Sequence, residues 1–132
     1  MPSFAPTPLA VSLVLTGLLQ IALAVAYGLA PAATFAAMGH SPIAPDHAYA
    51  LAMLASRFLV MGVTMILAAR RPGLFRPLIL AMVAIQVVDL LAGLWFTGTG
   101  GVPLSLSAVP MIDAAVIAAA LWVWRPRATG EA

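Results

Sequence analysis

Residues Leu9 to Ala30 read LAVSLVLTGLLQIALAVAYGLA, with Pro8 before them and Pro31 after the last alanine. No charged residue interrupts the stretch. An α-helix of this length rises about 1.5 Å per residue and is long enough to cross a hydrocarbon core of about 30 Å. Three more stretches read the same way: roughly His47 to Ala69, Phe75 to Phe96 and Leu104 to Trp124. Lipid cannot satisfy backbone N–H and C=O groups, so these segments are expected to be helices. The expected fold is an all-α integral membrane four-helix bundle, a single transmembrane domain over residues 1–132. Met1 to Pro8 carries no basic residue, and the following run is too long for a signal-peptide core, so the first span is expected to be retained.

Composition agrees. Hydrophobic residues make up 64% of the chain and charged residues 8%, against about 25% charged in soluble domains. The six basic residues are all arginines, and there is no cysteine or lysine. Disulfides, thiolate metal sites, a nucleophilic cysteine and a Schiff-base lysine are therefore excluded. A pI near 10.0 does not point to nucleic acid, because the arginines sit at span ends and in one span interior instead of on a soluble basic face.

The arginines set the expected orientation. Arg70, Arg71 and Arg76 lie between the second and third spans, and Arg125 and Arg127 follow the fourth. In a four-span chain that loop shares a side with both termini. The positive-inside rule makes this side cytoplasmic, which places the chain in the cell's inner (plasma) membrane. Trp122 and Trp124 fall at the inner interface, and Trp95 and Phe96 near the outer one. Asp46 is expected to N-cap the second helix. The loop from Pro31 to Pro45 has room for a short interfacial or re-entrant helix. His40 and His47 read as solvated loop histidines, Thr97 to Gly101 as a turn, and no metal site is expected.

Polar residues inside the spans carry the functional signal. Arg57 is 13 residues from Arg70, Asp89 is 13 from Arg76, Asp113 is 12 from Arg125 and Gln20 is 11 from Leu9. At about 1.5 Å per residue all four lie roughly 17–20 Å from the arginine side. Gln86 is one turn from Asp89. Each intramembrane charge costs about 2.5–3.5 kcal/mol on insertion scales, so the three are expected to turn inward, with Arg57 bridging both aspartates. Met53 and Thr64 share the Arg57 face, and Tyr27 shares that of Gln20. Pro110, about one turn from Asp113, frees the Leu106 carbonyl. Arg57, Gln20, Gln86, Tyr27, Met53 and Thr64 form the expected ligand-binding set, the two glutamines also being expected to hydrogen-bond between helices. Arg57, Asp89 and Asp113 are the expected catalytic set if the chain is an enzyme. A buried clamp that only fixes helix register is the structural alternative.

The pattern Tyr27-Gly28-Leu29-Ala30-Pro31, then Phe35 and Met38-Gly39, then Arg57 with Gly62, resembles the small DoxX-like four-helix membrane proteins of bacteria. The resemblance spans most of the chain through loose motifs. It implies a four-helix bundle, Arg57 as the motif arginine, and contact with quinone or another lipophilic molecule, but no particular reaction. Three functions stay open. The first is binding of a lipophile (quinone-, terpenoid- or lipid-like) in service of a redox or biosynthetic complex. The second is acid–base chemistry on a lipophilic substrate, an isomerisation, cyclisation or epoxide opening. Its site analogue is the Asp-Arg-Asp arrangement of limonene-type epoxide hydrolases. The third is proton-coupled transport by a homodimer or larger membrane complex.

Overall fold

Proline sets most element boundaries. The computed structural model describes residues 7–127, so the first six and last five residues of the expected single domain lie outside the described residues. Helix α1 (Pro8–Leu29) opens on Pro8, and the Thr7 hydroxyl caps it by accepting from the Ala10 N–H at 3.2 Å. It stops because Ala30 precedes a proline and leaves the helical region, with φ −140° and ψ 55°. Pro31 opens α2 (Pro31–Ala37), the short helix for which the long first loop has room. The Thr34 hydroxyl lies 2.9 and 2.8 Å from the Ala26 and Ala30 carbonyls, so it can donate to the last turn of α1 and fix the corner. Gly39, at φ 77°, takes the left-handed conformation just beyond α2.

Helices α3 (Pro45–Ala68), α4 (Arg76–Gly98) and α5 (Leu104–Val123) complete the chain. All four long helices fall within two residues of their expected limits and are long and apolar enough to cross a membrane. Among the described residues there is no strand. Asp46 is not the N-cap that was expected. α3 starts two residues earlier, so Ala44 holds the cap position and Asp46 falls in the first turn, where its charge faces the positive end of the helix dipole.

The helices pack as two close pairs, α1 with α3 and α4 with α5, joined by a thinner contact between α1 and α5. The α1–α3 crossing is narrow because Gly17 and Gly62 face each other there. Across α4–α5, the Thr97 hydroxyl donates to the Ser107 oxygen at 2.7 Å. The pairs share one apolar core, built from Leu9 and Leu13, Met65 and Ala68, Ile79, Met82 and Val83, and Ile117 and Leu121. Every one of these residues lies in the half of its helix that ends at the arginines. At that end the Arg76 Nε donates to the Pro126 carbonyl at 3.0 Å, and Arg125 stacks 3.8 Å over the Trp122 ring. Large apolar side chains such as Leu15, Val60, Val88, Val109 and Ile112 are more than half exposed. In water that much apolar surface would be an aggregation hazard, whereas hydrocarbon is its natural surrounding.

Candidate functional site

The polar layer lies directly beyond the shared core. Gln20, Arg57, Gln86, Asp89 and Asp113 all sit roughly 15–20 Å along their helices from the arginine end. Gln20 and Gln86 are buried, each 5% exposed. Arg57, Asp89 and Asp113 are all exposed, and no ion pair joins them. A single chain therefore does not form the inward cluster expected around Arg57. The reason is that the helix pairs share side-chain packing only in the arginine half, and beyond it α3 and α4 make little contact.

Helical spacing places each charge. Arg57 shares a stripe with Met61, Thr64 and Ala68, and Met61 and Ala68 belong to or pack on the shared core. Asp89 lies between the stripes of Leu78 and Met82, which do the same on α4. Arg57 and Asp89 therefore stand just beyond the shared core at one level, on two helices, α3 and α4, that make little contact with each other. Asp113 stands elsewhere. It lines a groove of about 200 Å³ between α1 and α5, with Ser12, Leu15, Thr16 and Leu19 on one wall and Val116, Ile117 and Ala120 on the other. Arg57 bridges neither carboxylate within one chain.

The remaining expected residues divide as follows. Gln86 was expected to bond between helices, but its Nε2 donates to the Met82 sulfur at 3.5 Å, one turn back on its own helix. Gln20 makes no side-chain hydrogen bond among the described residues, yet its polar atoms are not sealed from the surface. Thr64 donates to the Val60 carbonyl on its own helix, which occupies its hydroxyl proton. Met53 is exposed one turn beyond Arg57. Tyr27 is half-buried in an aromatic group at the far end. Its ring lies 6.1 Å from both Phe35 and Phe58, and its hydroxyl donates to the Met38 sulfur at 3.5 Å. His40 is more than a solvated loop histidine: it is half-buried and stacks on Phe35 at 5.0 Å.

Ser12 and Thr16 are the groove residues that the spacing argument did not assign to Asp113. Thr16 is buried at 4% exposure. Their four-residue spacing on α1 was visible, but nothing in the sequence says which neighbour that face meets. Among the described residues no three His, Asp or Glu side chains gather as metal ligands. No protein-family model, curated protein or solved structure matches the chain.

Proposed function

We propose that this chain is a small inner-membrane protein, with both termini cytoplasmic, whose four-helix bundle holds a lipophilic molecule at its polar layer. The ligand class is quinone-, terpenoid- or lipid-like, and the role is accessory to a membrane redox or biosynthetic system. The observation that carries this reading is the α1–α5 groove. One carboxyl, Asp113, and the Thr16 hydroxyl stand at similar depth on otherwise apolar walls, with the Ser12 hydroxyl one turn nearer the arginine end. Small-molecule sites are built this way, from apolar walls and a few convergent polar groups. At about 200 Å³ the groove falls short of the 300–1,000 Å³ of sites that enclose a whole drug-sized ligand. It suits a hydrogen-bonding head group or one isoprenoid unit, with the rest of the molecule in lipid.

The DoxX-like resemblance supports the same reading, since it too implies contact with a lipophile. Placing the ligand beside Asp113 shifts the anchor away from Arg57. The test is untargeted extraction of lipophiles from protein purified in mild detergent, comparing wild type with Asp113→Leu and Arg57→Ala. A species that copurifies with wild type and Arg57→Ala but not with Asp113→Leu supports the groove. Equal yields from all three proteins, or no bound species in repeated preparations, refute it.

A further inference from the structure

We propose that the α3–α4 face is a self-association surface, on which Arg57 of each copy pairs with Asp89 of a second copy. The inference does not depend on the identity of any bound lipophile. Arg57 and Asp89 are exposed on α3 and α4, two helices that make little contact with each other, and no ion pair joins them within the chain. Both carry charge at a depth where lipid solvates neither. Around them the face is apolar: Met53 and Val60 on α3, and Ile85 and Phe96 on α4, are all exposed.

Depth selects the partner. A two-fold axis along the membrane normal keeps every residue at its own level, so Arg57 can reach only groups at that level in the second copy. Arg57 is 11 residues from the arginine end of α3, and Asp89 is 13 from that of α4, a mismatch of roughly 3 Å. That is within the reach of an arginine side chain. Because the contact is isologous, Arg57 meets Asp89 twice and four charges are neutralised together. A second copy is also the one partner certain to carry the complementary charge at the right depth. Asp113, in the groove between α1 and α5, takes no part.

The absence of cysteine makes the test direct. Two differently tagged chains are made in one cell, one carrying Val60→Cys and the other Ile85→Cys. Both positions are exposed (64% and 41%) and lie beside the proposed pair. Oxidation in native membranes is expected to join the two tags. Val25→Cys on α1 and Val116→Cys on α5, exposed on other faces, are expected not to cross-link. A charge exchange then separates pairing between copies from pairing within one. Arg57→Asp and Asp89→Arg are each expected to abolish association when expressed alone, since every pair becomes repulsive. Coexpressed, they place opposite charges across both contacts, and association is expected to return by about tenfold or more over either variant alone. Pairing within one chain predicts no such rescue. Cross-linking on the α3–α4 face no stronger than at the control positions, or no gain from coexpression, overturns the proposal. The cysteine arm keeps the native charges, so it stands even where a charge variant fails to insert.

Discussion

The close backbone approach of α1 and α3 makes Gly62 a sensitive position. A Cβ on Gly62 would sit 2.7 Å from the Gly17 carbonyl oxygen, 2.8 Å from the Ile21 side chain and 3.1 Å from the Gln20 Cβ. A Cβ on Gly17 would meet the Gly62 oxygen at 2.7 Å in return. The obstacle is backbone, so no rotamer change relieves it, and α1 and α3 must part by roughly 0.7 Å to restore ordinary contact. A gap of that size forfeits a quarter to a half of each dispersion contact at the crossing, and overpacking costs typically run about 1–3 kcal/mol. Alanine recovers about 1 kcal/mol over glycine through helix propensity. Gly62→Ala should therefore lose up to about 2 kcal/mol net, and Gly62→Val, which recovers less and adds more bulk, about 3 kcal/mol. The assay uses Ala24→Cys, at a buried position on α1, as a unique thiol whose maleimide labelling reports opening of the α1–α3 pair. A loss of about 2 kcal/mol corresponds to roughly 30-fold faster labelling. Gly98→Ala, whose Cβ would meet nothing within 4 Å, is the control and should label like the parent. Equal labelling of Gly62→Ala and Gly98→Ala would show that the crossing is not held by glycine contact.

Other perturbations follow from single contacts. Thr97→Val removes the 2.7 Å bond to Ser107 and should cost about 0.6 kcal/mol, the average for hydrogen bonds between membrane helices, in a detergent-unfolding titration. Tyr27→Phe deletes only a weak hydroxyl–sulfur contact and should change stability by less than about 0.5 kcal/mol. Tyr27→Ala empties the ring's place between Phe35 and Phe58, so amide exchange across α2 should accelerate well beyond that of Tyr27→Phe. Arg76→Ala frees the Pro126 carbonyl and should weaken anchoring of the segment after α5 by about 1 kcal/mol, seen as several-fold faster protease cleavage there.

Span limits were legible because prolines and arginines punctuate them. Pro31 ends α1, Arg70-Arg71-Pro72-Gly73 follows α3, and the depth of each polar residue follows from counting. What counting could not supply was azimuth. A lipid-facing helix is apolar on every side, so the period that marks a core face in a soluble helix is weak here. Asp113 and Asp89 looked equivalent for this reason, yet Asp113 lines the groove against α1 and Asp89 does not. Gly17 and Gly62 carried an azimuthal signal, since small residues mark close helix crossings. Gln86 could have been read better. Met82 is four residues before it, close enough to take its amide within the helix. Asp46 misled because a proline one residue earlier is itself a helix starter.

The place of the polar layer gives its members separate duties. Among the core residues at the arginine end, an unpaired charge would be sealed away from any partner. At the far end, beside the loops, it would be hydrated and would need none. Just beyond the core it is neither sealed nor hydrated, so each charge needs an occupant from outside the chain. Arg57 and Asp89 cancel one another across a two-fold contact. Asp113 has no cation left at its level in either copy, and the one hydroxyl the groove offers near that level is that of Thr16. Its occupant must bring a hydrogen-bond donor and an apolar body, which is the description of a lipophile with a polar head. Association and ligand retention should consequently separate by mutation. Arg57→Ala should abolish the cross-link between Val60→Cys and Ile85→Cys chains while sparing the copurifying species, and Asp113→Leu should do the reverse. Loss of both properties in either variant would place all three charges in one site and defeat this division.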